Sequence, residues 1–364
     1  MEQLRTTPLT AWHRAKGAKM APFAGFDMPV QYTSILAEHE HTRTKAAIFD
    51  ICHMGEFRLR GKGAKDALNA ALSHDLDTLA PGKCRYGFLL GDSGGVVDDM
   101  IVYCMELGET DEYMIVVNGA CEQKDYDRIA SLLPAGFELE NISEQTAKID
   151  LQGPLSLDVL HDVLGGSWSH LKFFNFGHGE YAGAPLIVSR TGYTGELGYE
   201  LYLPSEKALE LWEALAADAR VLPVGLGARD TLRLECGFPL YGQDLDDEHT
   251  PVEAGYGWLM KKQTPYAGRE GAMAVRESLV ALSIEGRRPA RHHDLVLDEA
   301  GNEVGRVTSG SFAPSLGHAV ALAYVRADAA KAASFTIRTA RAELPAVRAE
   351  LPFFREGTIR MKTE

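Results

Sequence analysis

The chain has 364 residues, a formal net charge of −14 at pH 7, 45% hydrophobic residues and 24% charged residues. This length exceeds one ordinary hydrophobic core and predicts two or three domains, and the composition is typical of a globular protein. The negative charge argues against a nucleic-acid-binding protein, because phosphate binding requires clustered Lys and Arg. No stretch approaches about 18 uncharged apolar residues, so we expect no membrane span and no secretion signal.

The chain has five cysteines, which are widely spaced and include no CxxC pair. An odd number without metal-ligand spacing predicts reduced thiols and a cytoplasmic location. Most lie in apolar surroundings, where Cys behaves as a small hydrophobic residue, so packing is favoured over catalysis for each.

In chain order, the first elements alternate irregularly between helix and strand patterns. Residues 34–47 look helical, and the glycine-rich turn GDSGG separates two predicted strands at Tyr86–Leu90 and Val96–Met105. A further strand ends at Asn118, and residues 120–133 have the 3.6-residue period of an amphipathic helix. The irregular mixture favours an α+β fold over a doubly wound sheet.

The second half continues with strand and helix patterns and then changes character. TAKIDLQGP followed by LSLDVLHDVL reads as strand then helix, and residues 184–204 read as strand, polar glycine loop and strand, with a helix after the Ser205 cap. After about residue 278 the chain consists of short strands separated by turns, which predicts a small β-barrel or sandwich. We expect the domain boundary near residues 265–280.

The strand GGVVDDMIVY carries two adjacent carboxylates, Asp98 and Asp99, in an apolar setting. Side chains alternate along a strand, and both faces of this one are apolar, so no register exposes both acids. A desolvated carboxylate needs donors or a cation, or its pKa rises, which makes it a candidate for binding a cation or accepting a proton. A turn cap or an ion pair with a nearby Arg is the structural alternative.

Two glycine-rich stretches could hold further functional side chains. SRTGYTGELGYEL, residues 189–201, can fix Tyr193 and Glu200, although a tight turn with ordinary strand residues is an equal alternative. GLGARDTLRLECGFPLYGQDL contains Arg229 and Arg233, which share a face if Ala228–Cys236 is helical. Arg229 could bind a carboxylate, form a surface salt bridge, or pair with Glu200.

Metal, phosphate and hydrolase motifs are poorly supported by the spacing. His39 and His41 point apart on a helix, His292 and His293 are adjacent, and His53 stands alone. No P-loop, GxGxxG or GxSxG pattern occurs, so we expect no metal and no nucleotide.

Six stretches in register resemble the aminomethyltransferase family, the T-proteins of the glycine cleavage system. They are KMAPFAGFDMPVQY, DICHMGEF, GGVVDDMIVY, SRTGYTGELGYEL, GLGARDTLRLECGFPLYGQD and VTSGSFAPSLGHAVALAYV. The resemblance covers essentially the whole chain. It implies a cloverleaf of two mixed α/β folate-binding domains and a C-terminal β-barrel. We therefore expect residues 1–275 to form two interleaved α+β subdomains, one built around about 54–140, and residues 276–364 to form the barrel.

The resemblance also implies an activity in glycine catabolism. In the family, the aminomethyl group on the lipoyl arm of the H-protein passes its one-carbon unit to tetrahydrofolate, giving 5,10-methylenetetrahydrofolate and ammonia. Tetrahydrofolate is the co-substrate, no metal is required, and lipoylated H-protein is the partner. Because H-proteins are themselves acidic, we expect a local basic patch at the mouth of the folate channel.

The same resemblance assigns the site residues. Asp99 matches the catalytic carboxylate, and Asp98 is expected to be structural. The expected folate- or substrate-binding residues are Met54, Tyr86, Asn118, Tyr193, Glu200, Arg229 and Arg360, the last in a C-terminal tail that varies between members.

Two alternatives remain open at the level of sequence. A tetrahydrofolate-dependent demethylase of the same superfamily needs few changes, although retention of GGVVDD favours aminomethyl transfer. A non-catalytic folate-binding module would keep Tyr193, Glu200 and Arg229 without the acid, whereas Asp99 is present. CGFPLYGQD stands where the superfamily's iron–sulfur assembly factor has its KGCYxGQE-like motif, and the large oxidising members need a flavoprotein domain for which this chain has no room.

Overall fold

The computed structural model describes residues 4–363. Its α-helices, in chain order, are α1 Thr10–Ala15, α2 Ile35–Thr44, α3 Ala64–Ala71, α4 Glu122–Leu132, α5 Ser156–Leu164, α6 Ala208–Ala216 and α7 Leu226–Glu235. Within the described range, no helix has both the length and the apolar character needed to cross a membrane.

The strands form one hairpin, two larger sheets and a closed barrel. In chain order they are β1 Lys19–Phe23, β2 Phe26–Gln31, β3 Ala46–Asp50, β4 Gly55–Gly61, β5 Lys83–Leu90, β6 Val96–Glu106, β7 Asp111–Val117, β8 Glu138–Asn141, β9 Thr146–Gln152, β10 Phe176–Tyr181, β11 Ala184–Ser189, β12 Gly198–Pro204, β13 Val221–Pro223, β14 Glu277–Ile284, β15 Leu295–Leu297, β16 Glu303–Ala313, β17 His318–Arg326, β18 Ser334–Arg338 and β19 Glu343–Ala349.

The predicted hairpin lies in a five-stranded sheet with the order β5-β6-β7-β4-β8. The β5–β6 register opposes Phe88 to Asp99 and Tyr86 to Ile101. Between β6 and β7 the pairing stops at Ile101 and Val116, so Asp99 lies just beyond the end of that ladder. Helices α3 and α4 contribute Leu68 and other apolar side chains to the core on one face of this sheet.

The second sheet has six strands in the order β10-β11-β12-β9-β3-β13, drawn from chain segments before and after the five-stranded sheet. Its strand β9 alternates strictly, with Ala147, Ile149 and Leu151 in the main core. Lys148 and Asp150 point to the opposite face and are nevertheless buried. This face therefore carries charge in the interior of the protein.

Strands β14 to β19 close into a barrel in the order β14-β17-β16-β15-β18-β19. Closure removes the unpaired edges that a small sheet would otherwise expose. The predictions of an α+β chain and of a small C-terminal β-barrel are confirmed.

The predicted element bounds differ from the structure at a few ends. The helix predicted over residues 34–47 ends at Thr44, because Ala46–Asp50 forms a fully buried strand between β9 and β13. Tertiary pairing overrides helix propensity there. The helix expected to begin at Ala228 begins two residues earlier, at Leu226.

The GDSGG turn fixes how the acid-bearing hairpin packs. Gly94 has a φ of 87°, in the left-handed region that favours glycine, and a Cβ added there would meet the backbone of Gly271 and Ala272. A Cβ on Gly95 would overlap the carbonyl oxygen of Asp247. The turn therefore requires glycine for close approach as well as for conformation.

We expect Gly95→Ala to lower the free energy of unfolding by roughly 2–3 kcal/mol, because overlap with backbone cannot be relieved by a rotamer change. Urea denaturation followed by tryptophan fluorescence measures the change. Gly108→Ala is the matched control, since a Cβ at Gly108 meets nothing within 4 Å. Equal losses in the two variants would contradict the packing explanation.

Candidate active site

Asp98 and Asp99 leave β6 on opposite faces, as strand alternation requires. Asp98 is fully buried and lies on the side of α4. Asp99 is half-buried and accepts a hydrogen bond of 3.0 Å from the hydroxyl of Tyr86 on β5. The two acids are therefore distinguished by their surroundings.

Asn118, just past the end of β7, holds both carboxylates. Its main-chain N–H donates to Asp98 Oδ2 at 2.9 Å, and its side-chain Nδ2 donates to Asp98 Oδ1 and Asp99 Oδ1, each at 2.9 Å. Nδ2 also lies 3.2 Å from the carbonyl oxygen of Asp99. The amide thus takes the place of the main-chain donors that β7 no longer supplies, and it orients both acids.

Asp99 is set to exchange a proton at neutral pH. Burial, followed by the negative charge of Asp98, raises the pKa of Asp99 to about 7, although the donors Tyr86 and Asn118 oppose the shift. A carboxyl group with this pKa can act as either acid or base near physiological pH.

Aromatic side chains adjoin this carboxylate. Tyr256 lies 5.8 Å from the Tyr86 ring, centroid to centroid. Tyr193 stacks on Phe238 at 5.8 Å and 20°, and its hydroxyl donates to the carbonyl oxygen of Pro239. Burial raises the pKa of the Tyr193 hydroxyl, and the charge of Asp99 adds to the shift. Tyr193 is thus within electrostatic range of the acid.

Glu200 lies on β12 and is buried with its charge compensated. It accepts from the Thr191 hydroxyl at 2.6 Å and from Tyr202 at 3.2 Å, and its Oε1 lies 3.3 Å from Lys148 Nζ. Burial alone would raise its pKa, but Lys148 and Thr191 hold the pKa of Glu200 below its ordinary value. Glu200 is therefore an anion in the interior, and Oε1 has acceptor capacity beyond Lys148.

Arg229, on the first turn of α7, pairs with Asp150 of β9 at 2.6 Å. Its guanidinium also lies 4.9 Å from the centre of the Tyr193 ring. Burial raises the pKa of Asp150 to about 6, against the opposing charge of Arg229. The direct Glu200–Arg229 pair left open by the sequence does not form among residues 4–363: each residue has its own partner on β9, Lys148 for Glu200 and Asp150 for Arg229.

Met54 lies between these groups and the first sheet, with its sulfur 3.4 Å from Lys148 Nζ. Next to it, His53 Nδ1 and Glu56 Oε1 are buried and have no hydrogen-bond partner within residues 4–363. Burial lowers the pKa of His53 to about 4 and raises the pKa of Glu56 to about 8, so both are neutral at pH 7.

Arg360 is exposed in the C-terminal segment. That segment is tied to the six-stranded sheet region nearby, because Thr358 donates to Glu196 at 2.6 Å and Arg190 donates to Thr363 at 3.0 Å. These contacts with neighbouring residues fix the position of the segment.

Sequence reasoning missed Lys148 and Asp150, which neutralise Glu200 and Arg229. The signal was present in TAKIDLQ, where charged residues alternate with apolar ones in a strand between other buried strands. It also missed Asp125, which is buried on α4.

Two family models together match most of the chain. The GCVT N-terminal domain matches residues 9–264, and the glycine cleavage T-protein C-terminal barrel domain matches residues 278–355. The second match coincides with the closed barrel described above.

Full-length relatives agree with these matches. The chain is 40% identical over 360 residues to an aminomethyltransferase of Halothermothrix orenii, covering 96% of this chain and 100% of the relative. It is 44% identical over 338 residues to an aminomethyltransferase of Geobacillus kaustophilus, covering 90% and 92%.

A solved structure of the glycine cleavage system aminomethyltransferase T from Bartonella henselae superposes with a TM-score of 0.91 at 32% identity, covering 98% of this chain and 99% of that chain. Fold, family models and full-length relatives agree with the resemblance seen in the sequence. The chain therefore belongs to the aminomethyltransferase family, the T-proteins of the glycine cleavage system.

Proposed function

We propose that this enzyme transfers the one-carbon unit of the aminomethyl group on lipoylated H-protein to tetrahydrofolate, releasing ammonia and forming 5,10-methylenetetrahydrofolate. The observation that carries the proposal is Asp99: a half-buried carboxylate whose pKa is raised to about 7, in a chain related over its full length to aminomethyltransferases.

Asp99 is the catalytic residue of this proposal. As an anion it stabilises the positive charge of the iminium- or ammonium-like species that develops while the C–S bond breaks and the thiolate leaves. Because its proton affinity matches neutral pH, it can also relay a folate N–H proton to the departing amine, which leaves as ammonia, while the second folate N–H proton goes to the lipoyl thiolate. Tyr86 and Asn118 hold its two oxygens in a fixed orientation, which supports a positioning role as well.

Tyr193, Glu200, Arg229 and Met54 form the folate side of the proposed site. Glu200 is an interior anion, and its two carboxylate oxygens can accept a pair of hydrogen bonds from the N–H groups of a pterin ring. Tyr193, held by Phe238 and Arg229, offers a flat aromatic surface, and Met54 adds an adaptable apolar contact. Arg360 remains a proposed contact because it is a cation in a segment tied to Glu196.

The partner and location follow from the same proposal. Lipoylated H-protein supplies the aminomethyl group, and an enzyme of glycine catabolism with reduced cysteines fits the cytoplasm. We propose residues 1–275, with a subdomain around 54–140, as the folate-binding region, and residues 276–364 as the barrel domain. The docking surface for H-protein is expected to be a local basic patch.

Steady-state assays with a panel of one-carbon donors test this function. Aminomethylated H-protein and tetrahydrofolate are expected to give ammonia and 5,10-methylenetetrahydrofolate in equal amounts, whereas N-methyl amines and methoxylated aromatics give no product. Turnover of a methyl donor in place of the H-protein would favour the demethylase alternative. Folate binding without turnover of any donor would favour a binding module.

We expect Glu200→Gln to raise the KM for tetrahydrofolate roughly 10- to 100-fold, because a charge-assisted hydrogen bond is lost, with a smaller change in kcat. Initial rates at varied folate concentration measure this. Glu56→Gln is the matched control: Glu56 is buried nearby but protonated at pH 7, so the amide changes little. Equal KM values for wild type and Glu200→Gln would remove Glu200 from the folate site.

A further inference from the structure

A second buried carboxyl group lies behind Asp98, on the first turn of α4. Asp125 is fully buried, and neither of its carboxyl oxygens finds a hydrogen-bond partner in the range 4–363. Three atoms lie within 4.8 Å of one another: one carboxylate oxygen of Asp98, one of Asp125 and the sulfur of Cys121. Two buried carboxyl groups this close cannot both be ionised unless a cation lies between them, so one of them keeps a proton.

Hydrogen-bond donors decide which of the two carboxyl groups, Asp98 or Asp125, keeps the proton. Asp98 accepts two N–H bonds from Asn118, which favour its ionised form. The Asp125 carboxyl group accepts no hydrogen bond from the described residues, and the Asp125 main-chain N–H donates to the carbonyl oxygen of Cys121. Burial and then the charge of Asp98 raise the pKa of Asp125 to about 11. Asp125 therefore carries the proton, and Asp98 is the acceptor within reach.

We propose that protonated Asp125 donates a hydrogen bond to Asp98, and that this pair is a positioning element which keeps Asp98 ionised beside Asp99. The inference rests on the proposed function, in which Asp99 is the reacting carboxyl group. Asp125 touches no substrate in this proposal. It acts through Asp98, whose charge disfavours ionisation of Asp99 and so holds a proton on Asp99 up to neutral pH.

The other groups facing these acids do not supply the missing countercharge. Lys124, the nearest cation on α4, is exposed and lies 2.6 Å from the Tyr241 hydroxyl and 3.3 Å from Asp247. The remaining groups are neutral thiol and phenol side chains whose pKa values burial raises: Cys121 and Tyr241 beside Asp98 and Asp125, and Tyr86, Tyr193 and Tyr256 beside Asp99.

The pH dependence of kcat/KM for aminomethyl transfer reports the ionisation of Asp99 and tests the pair. Asp98→Asn removes the neighbouring charge, so the apparent pKa of Asp99 should fall by about one to two pH units. Asp125→Leu removes the donor and leaves Asp98 to take up the proton, so it should shift the profile in the same direction. Asp125→Asn still donates an N–H to Asp98 and should leave the profile within about 0.3 units of wild type.

Infrared spectroscopy tests the proton on Asp125 without reference to activity. At about pH 9, ordinary carboxyl groups are ionised, and Asp99 and Glu56 are mostly ionised too. We expect a carbonyl band of a protonated carboxylic acid in the wild type, lost in Asp125→Asn. It should persist in Asp127→Asn, which changes an exposed acid on the same helix.

Two sets of results would overturn the proposal. The first is an infrared band that survives in Asp125→Asn, because another group would then hold the proton. Stoichiometric divalent metal that is bound to the wild type and absent from Asp125→Asn would count equally, because a cation would then neutralise the cluster. The second is a pH profile unmoved in Asp98→Asn, or moved equally by Asp125→Asn and Asp125→Leu. If the wild type shows no aminomethyl transfer at all, the proposed function fails, while the infrared result still decides whether Asp125 holds the proton.

Discussion

Replacing Asp99 by alanine is expected to lower kcat for aminomethyl transfer roughly 100-fold or more, because the change removes the carboxylate that we propose as general acid–base group and as the anion facing the reacting carbon. Stopped assays of methylenetetrahydrofolate formation with saturating H-protein measure the loss. Asp92→Asn is the matched control, since Asp92 is an acid in the turn of the same hairpin whose side chain is 90% exposed. Turnover of Asp99→Ala within a few-fold of wild type would exclude Asp99 from the central role.

Measuring the stability of an Asp99 variant shows whether its loss of activity comes from the missing carboxyl group or from unfolding. The pKa of Asp99 is raised in the folded protein, so between its ordinary value near 4 and about 7 the native state binds more protons than the unfolded state. Stability from this group is therefore present at low pH and is lost as pH rises through about 7. Asp99→Asn removes the cost of ionising a buried acid, so it should unfold at higher urea than wild type above pH 7 while remaining inactive.

Arg233→Met is expected to lower the free energy of unfolding by about 3–5 kcal/mol, because it leaves Asp244 as an uncompensated buried charge. Arg233 is 1% exposed and pairs with the fully buried Asp244 at 2.7 Å. Both residues also bind Ser309 of β16 at 2.8 Å. This pair joins α7, which carries Arg229, to the barrel. Urea denaturation measures the effect.

Two comparisons isolate the buried charge as the cause. Arg306→Met breaks an exposed ion pair with Glu303 on the same barrel strand, and such pairs contribute about 0–1 kcal/mol. Adding Asp244→Asn to Arg233→Met removes the stranded charge and should recover part of the lost stability. A cost of Arg233→Met no larger than that of Arg306→Met would show that the pair does not hold the barrel in place.

The fold class could be predicted from the sequence, because the change from mixed helix and strand patterns to short strands is visible in the spacing of the apolar residues. Short strands and turns after about residue 278 became the closed barrel, and mixed patterns before it became two mixed sheets. The end of α2 could not be predicted, because the helical pattern over Lys45–Ala47 is overridden by pairing of β3 with β9. Such long-range pairing leaves no local signal.

The candidate site was only partly visible in the sequence. Strand alternation identified the conflict at Asp98 and Asp99, and family resemblance chose Asp99. Asn118 was expected as a contact, but its bridging of both acids depends on where the β6–β7 ladder ends. Asp125 left a weak signal: it occupies the buried stripe of α4 between Cys121 and Ile129, at spacings of four, where an apolar residue is expected.

Single-turnover mixing of the enzyme with aminomethylated H-protein and tetrahydrofolate tests the central claim most directly. We expect one ammonia and one 5,10-methylenetetrahydrofolate for each aminomethyl group consumed, and neither product on the same time scale with Asp99→Ala. H-protein shown to be competent with another aminomethyltransferase, but yielding no ammonia and no methylenetetrahydrofolate with the folded wild-type chain, would contradict aminomethyl transfer as its function.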